Sequence, residues 1–384
     1  MSQSSQSKYI PPHLRPPPNL SPTENTIFAS CPTFKELLKV KQEYGADPLV
    51  EDFFQAKRLR SAEAGPDDDL GIDFRDQFFK AMGDIMETVQ TLGLDVPPGD
   101  ASLGVKRFLD LGCAPGGFSK WMMERNRDAE GLGITLAPKD HGLGVSTHDW
   151  DPSLRTQYHI LQRDLTSSIP EIVGMSGEGQ LDLVIAGAMY RDENTAQTTS
   201  STPSEGGSPE TSSPPVPPSL RNLLTLSQLI IILHTLRPGG SLIMVSSLKP
   251  FPITLALLFL LRNLFEDITP TKGKKLHRDR SSYYLVCRRF KGNEVDPGLL
   301  DRLESVVEEL RAESSLDAAN EPNWRALLLR EEIGESEREL AGPDLDFVLQ
   351  HFTPMWQNQV DNIKRRHSNC KRNSSHGGRS KKRW

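Results

Sequence analysis

Cysteine is scarce in this chain. Only four occur in 384 residues, Cys31, Cys113, Cys287 and Cys370, and no two stand at metal-ligand or redox spacing. That argues against a disulfide scaffold and fits a reducing compartment. Long apolar runs are missing as well. The most apolar stretch, Ile253 to Leu261, falls well short of the ~20 residues that span a bilayer, and the N-terminus has no apolar core of signal-peptide length. These absences predict a soluble intracellular protein without membrane association, in nucleus or cytoplasm. Basic charge is also short overall, for the net charge is −6. Its distribution tells more than its sum: residues 364–384 hold nine Lys or Arg and no acid, while Asp67, Asp68 and Asp69 cluster elsewhere. A local basic segment contacts phosphates even on an acidic protein, because screening over ~8 Å makes nearby charge dominate. It serves equally well as a nuclear-import signal.

With 29 Gly and 29 Pro, much of the length is not core. Residues 1–25 are rich in Ser, Pro and Gln and read as disordered. Within them, Tyr9-Ile10-Pro11-Pro12-His13-Leu14-Arg15 resembles a short segment of DEAD-box RNA helicases, which implies RNA-related company. Residues 26–69 read as a helical extension, with one helix over 27–60 carrying Phe34, Leu37 and Leu38 at helical spacing. A further helix is predicted from Phe74 to Leu92, with Phe78, Met82, Ile85, Met86 and Val89 on one face. From Arg107 onward short apolar runs alternate with helix-length segments. Strands are predicted at 108–111, 131–136, 158–162, 181–186, 241–245 and 283–288, and such alternation predicts a mostly parallel sheet covered on both faces. Residues 193–219 have almost no apolar side chain and read as a disordered insertion. Residues 297–350 read as a helical extension, and 361–384 as a basic disordered tail.

The most informative segment is Leu109-Asp110-Leu111-Gly112-Cys113-Ala114-Pro115-Gly116-Gly117-Phe118-Ser119. A buried strand ends at Gly112, small residues follow, and a helix begins near Gly117. Ligands of open parallel sheets bind beyond such carboxyl ends, and unpaired amides at a helix start favour a carboxylate. A P-loop is excluded because Phe118, not Lys, follows Gly117. A dinucleotide fingerprint is excluded because the glycines are misplaced and 131–138 contains no acid.

Asp110 to Ser119 resembles the first motif of FtsJ-like methyltransferases, D-L-G-x-x-P-G-G-F-S. The resemblance extends over about 200 residues, from Phe79 to Arg288. It implies an α/β fold, a Rossmann-like class I methyltransferase sheet with helices on both faces, over 70–290. It further implies S-adenosyl-L-methionine as cofactor, bound by Asp110, Gly112, Ala114, Pro115, Gly116, Gly117 and Phe118. In Gln162-Arg163-Asp164-Leu165 it places Asp164 where the family holds the adenine amino group; a turn or N-cap is the alternative for that aspartate.

Members that methylate a ribose 2′-hydroxyl use a Lys-Asp-Lys-Glu tetrad. The first lysine matches Lys80, with a surface lysine of an amphipathic helix as the alternative. The aspartate position falls on Gly187, with Asp192 five residues on. The second lysine falls on Val245 or Ser246, and Lys249 is the candidate a few residues later. The glutamate position falls on Ser282. The tetrad is therefore incomplete. The leading expectation is methyl transfer to RNA, with the ribose 2′-oxygen as acceptor and Lys80 and Lys249 as catalytic residues. The alternatives are a non-catalytic RNA- or ribosome-associated protein on a degenerate methyltransferase fold and, more weakly, a small-molecule methyltransferase. Lys272, Lys274, Lys275, Arg278 and Arg280 are expected to contact phosphates.

Overall fold

The computed structural model describes residues 20–50, 69–95, 102–140, 142–190, 217–274, 276–278, 280–292, 296–312, 324–329 and 340–376. The helicase-like segment, Asp192, Lys275, the bulk of the insertion and residues 377–384 lie outside them. The chain divides into two compact units, one of Met1–Gly65 with Arg338–Trp384 and one of Pro66–Glu337.

In the first unit the stretch read as helical over 27–60 breaks among its described residues into α1 (Pro22–Ser30) and α2 (Pro32–Ala46), and 51–60 lie outside them. The break falls at Cys31, whose extended backbone is what a following proline demands. Helix α1 starts inside the stretch read as disordered, because Ser21 and Glu24 form a reciprocal capping box, each side chain accepting from the other's backbone amide. A long helix (Gly342–His376) packs on α2 through Phe34 and Trp356, ring centroids 4.7 Å apart. The basic segment is thus helical as far as His376. Its Lys364 pairs with Glu36, and its His367 and Lys371 reach Asp47. Three of its basic side chains are therefore engaged within the unit.

The second unit is a seven-stranded sheet with helices on both faces. In chain order it runs α3 (Asp69–Val89), β1 (Arg107–Leu111), α4 (Gly117–Arg125), β2 (Glu130–Thr135), α5 (Pro152–Gln157), β3 (Tyr158–Gln162), α6 (Ile169–Ser176) and β4 (Leu181–Ala186). It continues with α7 (Pro218–Thr235), β5 (Leu236–Ser247), α8 (Pro252–Leu264), β6 (Phe265–Thr271), β7 (Ser282–Phe290), α9 (Leu299–Ala312) and α10 (Trp324–Leu329). The strand order is β3-β2-β1-β4-β5-β7-β6. The first five strands are parallel, and β7 inserts antiparallel between β5 and β6. Strand β6 was not anticipated, because Phe265-Glu266-Asp267-Ile268-Thr269 mixes charge into a short run that joins α8 without a turn residue.

Period-two alternation divides the central strands between two layers. Phe108, Leu183, Ile185, Ile243, Tyr284 and Val286 meet Met82, Ile85, Phe118 and Met122 of α3 and α4 in one core. Leu109, Val184, Leu242, Met244 and Leu285 are equally buried on the opposite face, where α7 lies on β4 and β5. Helix α9 packs on α7 and α10 on α8, so the segment after β7 is part of this unit. Among the described residues no helix is long and apolar enough to cross a membrane.

Glycines in β2 make room for two aromatics, Tyr158 and Phe108. A Cβ on Gly133 would collide with the Tyr158 hydroxyl and lie 2.7 Å from Cys113 Sγ, and one on Gly131 would lie 2.5 Å from the Phe108 ring. Gly133→Ala is predicted to destabilise the unit by about 1–3 kcal/mol, the usual cost of overpacking. Thermal unfolding checks this, and adding Tyr158→Phe, which removes the colliding oxygen, recovers part of the loss.

Candidate cofactor turn and catalytic face

Strand β1 delivers the motif to the carboxyl edge of the sheet. Gly112 and Gly116 adopt φ of 84° and 99°, the left-handed region that favours glycine. A Cβ on Gly112 would stand 2.6 Å from Ala188 Cα, so the turn is pressed against the segment after β4. The Ala114–Pro115 bond is cis. Gly116 caps α4 without any side-chain hydrogen bond, leaving the first-turn amides for an external acceptor. Gly117 is needed because α3 crosses there: its Cβ would strike Arg75 O and lie 2.6 Å from Phe78 Cβ. Phe118 lies in the core between Phe78 and Tyr284, at centroid distances of 5.5 and 5.7 Å. It reaches the turn only through its backbone.

Beneath the turn lies a buried polar chain. Ser119 Oγ donates to Asp110 Oδ2 at 2.5 Å and lies 2.8 Å from the Tyr158 hydroxyl. Burial pushes the Asp110 carboxyl up to about 7, against the lowering effect of the Ser119 bond. Burial likewise raises the Cys113 thiol, which excludes it as a nucleophile at neutral pH. The ring of Tyr158 meets Trp150 at 5.0 Å, and Trp150 with Val145 forms the wall facing Gly116.

That wall is anchored by charge. Arg75, almost wholly buried, grips Asp149 with two hydrogen bonds of 2.6 and 2.8 Å, and Lys120 Nζ reaches the same carboxylate at 2.8 Å. Partial burial tends to raise Asp149, but the two cations outweigh it and hold the carboxyl below its usual range. Arg75 and Asp149 were invisible to motif reading, since they lie 74 residues apart in sequence.

The remaining candidates separate. Asp164 is exposed and its Oδ1 accepts from Thr166 N and Thr166 Oγ1, both at 2.8 Å, so the turn-forming role is realised. Lys80 is exposed on α3 and lines a cleft of about 500 Å³ with Asp84, Glu87, Trp121 and Arg125, while Phe78 takes the inward face. Lys249 follows β5, exposed, its Nζ 5.6 Å from the Phe251 ring centroid. It is not among the residues lining that cleft.

By contrast, Gly187, Val245 and Ser282, on which the expected tetrad positions fall, lie on one face. Val245 pairs with Tyr284 and packs on the α3–α4 core, Ser282 lies two residues before Tyr284 on the same face, and the Gly187 Cβ position is 3.9 Å from Val245 Cγ2. The expected phosphate contacts need correction. Lys272 is buried and donates to the carbonyls of His277 at 2.9 Å and Arg280 at 2.5 Å. Lys274 is engaged with Glu87 at 2.6 Å. Arg280 remains exposed.

The raised Asp110 carboxyl has a sign that can be checked. From about pH 4 to 7 the unfolded carboxyl ionises while the native one stays protonated, so stability falls as pH rises across that window. Above pH 7 the loss is complete. Asp110→Asn is predicted to remove this slope, read as urea-unfolding free energy at pH 5 and 8. Separately, Asp149→Ala leaves buried Arg75 with only Asp76, at 3.7 Å, as a carboxylate partner and is predicted to cost about 1–3 kcal/mol in the same urea assay.

Residues 95–290 match the family model described as FtsJ-like methyltransferase. The ribosomal RNA large subunit methyltransferase E of Novosphingobium aromaticivorans is 26% identical over 190 residues, covering 49% of this chain and 71% of that protein. The cap-specific mRNA (nucleoside-2′-O-)-methyltransferase 1 of Drosophila melanogaster is 24% identical over 218 residues, covering 55% of this chain but only 25% of its own length. A Caenorhabditis briggsae protein named as an inactive cap-specific mRNA (nucleoside-2′-O-)-methyltransferase 1B is 23% identical over 224 residues, covering 55% of this chain and 24% of that protein. With its motif turn at the carboxyl edge of β1 and its family match spanning half the chain, this protein belongs to the FtsJ-like methyltransferase family.

Proposed function

We propose that the chain is an S-adenosylmethionine-dependent methyltransferase acting on RNA, with a ribose 2′-hydroxyl as acceptor. The observation that carries this reading is the turn Gly112–Phe118, whose uncapped helix amides open at the carboxyl edge. In it, the α4 amides receive the carboxylate of the cofactor's amino-acid end, and Asp110 and Gly112 to Gly117 hold the turn that shapes the pocket. The Asp164 oxygen not bonded to Thr166 accepts from the adenine amine. Exposed Leu136, Met189 and Tyr190, which follow β2 and β4, supply apolar surface for the ring faces. The uncapped amides and this apolar rim fit such a group. When bound, the cofactor supplies a methyl group on a sulfonium sulfur.

What the chain contributes beyond binding is chiefly orientation, which alone lowers a bimolecular barrier substantially. The face where family members carry the tetrad presents Gly187, Val245 and Ser282, and none of these takes a proton. Lys80 and Lys249 are the remaining candidates to assist the hydroxyl. This same observation favours a second reading, a non-catalytic RNA-binding protein that keeps the cofactor fold.

The two readings separate in one assay. Purified protein is incubated with methyl-labelled cofactor and cellular RNA, and label is sought in alkali-resistant dinucleotides, which report 2′-O-methylation. The wild type is predicted to label RNA slowly. Gly187→Asp with Ser282→Glu is predicted to accelerate it about 10-fold or more, in the range of general acid–base assistance, and a Cβ at 187 has room, with nothing nearer than 3.8 Å. No label from either protein, despite cofactor binding, leaves the non-catalytic reading.

A further inference from the structure

Where β5 gives way to α8, the surface carries features that cofactor binding does not use. Phe251 is 46% exposed at the start of α8, beside exposed Pro252. Lys249 Nζ lies 5.6 Å from its ring centroid. Leu248 N donates to Ser281 O at 2.8 Å, which extends the β5–β7 pairing past Ser247 and Ser282 and brings exposed Arg280 alongside Lys249. The buried Lys272 ammonium holds the Arg280 and His277 carbonyls. Among the described residues neither Lys249 nor Arg280 forms an ion pair with a carboxylate. At the carboxyl edge, beside the face of Gly187, Val245 and Ser282, an exposed aromatic ring thus lies against Lys249, with exposed Arg280 on the neighbouring strand's approach.

We propose that Lys249, Phe251 and Arg280 are a docking strip for a single-stranded segment of the RNA substrate. One base stacks on Phe251, and neighbouring phosphates meet Lys249 and Arg280. The inference rests on the RNA reading above and narrows it to unpaired RNA. The chemistry favours that occupant over a duplex, because a ring can stack only on a base whose face is free. It favours it over an apolar protein surface, because Lys249 lies against the ring and such a surface would leave that charge unsatisfied. Lys249 then positions substrate through a phosphate, which leaves Lys80 as the candidate to assist the hydroxyl.

The test is fluorescence anisotropy of the full chain with a labelled single-stranded oligoribonucleotide, alongside the same sequence as a duplex. Phe251→Ala is predicted to weaken single-stranded binding about 10-fold or more, and Phe251→Trp to retain it. Lys249→Gln and Arg280→Gln are each predicted to reduce the salt slope of binding by about 0.7, the release expected for one single-strand phosphate contact. Cofactor titration of Phe251→Ala, predicted unchanged, separates loss of the strip from loss of the fold. Unaltered single-strand affinity in Phe251→Ala, or an equal loss on duplex, overturns the strip while leaving the RNA reading intact. A wild type that binds cofactor but no RNA overturns both.

Discussion

A carboxyl group buried under the first strand's end constrains much of this unit. Asp110 has no solvent, so its hydrogen bond must come from Ser119, and Ser119 must therefore lie on the first turn of α4, close above β1. Ser119 in turn meets Tyr158, whose ring reaches across β2 only because Gly131 and Gly133 have no side chain. Tyr158 supports Trp150, and Trp150 faces Gly116. Strand, turn, helix and wall are thus bound into one arrangement, and each link that is removed leaves a buried polar group or a void.

A second constraint acts from outside the sheet. Helix α3 lies so close on α4 that only glycine fits at 117, and from that position it sends Arg75 to Asp149. The segment after β2 is held to the cofactor turn by this clamp and by Lys120. The candidate cofactor turn and the stability of this unit therefore share residues.

The sheet was largely legible in the sequence, because fully buried strands spell short apolar runs and the turn at 112–117 spells its own backbone requirements. Strand β6 was not legible, since a strand pairing on one side with β7 tolerates Glu266 and Asp267. The helix break at Cys31 and the early start of α1 were written in Pro32 and in Ser21 with Glu24, signals that composition outweighed. The site was legible where a motif is contiguous and illegible where it is assembled across the fold. Arg75, Asp149 and Phe251 acquire meaning only from what the topology places beside them. Lys272 shows the converse, a basic residue read as a phosphate contact that is spent on two backbone carbonyls.

The central claim is that the turn on β1 holds S-adenosylmethionine. Calorimetric titration of the full chain with that compound, beside Gly116→Trp, tests it most directly. Gly116 has φ of 99° and its Cβ would lie 3.0 Å from Val145 Cγ1, so an indole there is strained and fills the wall side of the turn. The account predicts one site of micromolar affinity in the wild type, weakened at least about 100-fold in the variant, or roughly 2.7 kcal/mol. Absence of binding by the wild type, or equal binding by both proteins, would contradict it.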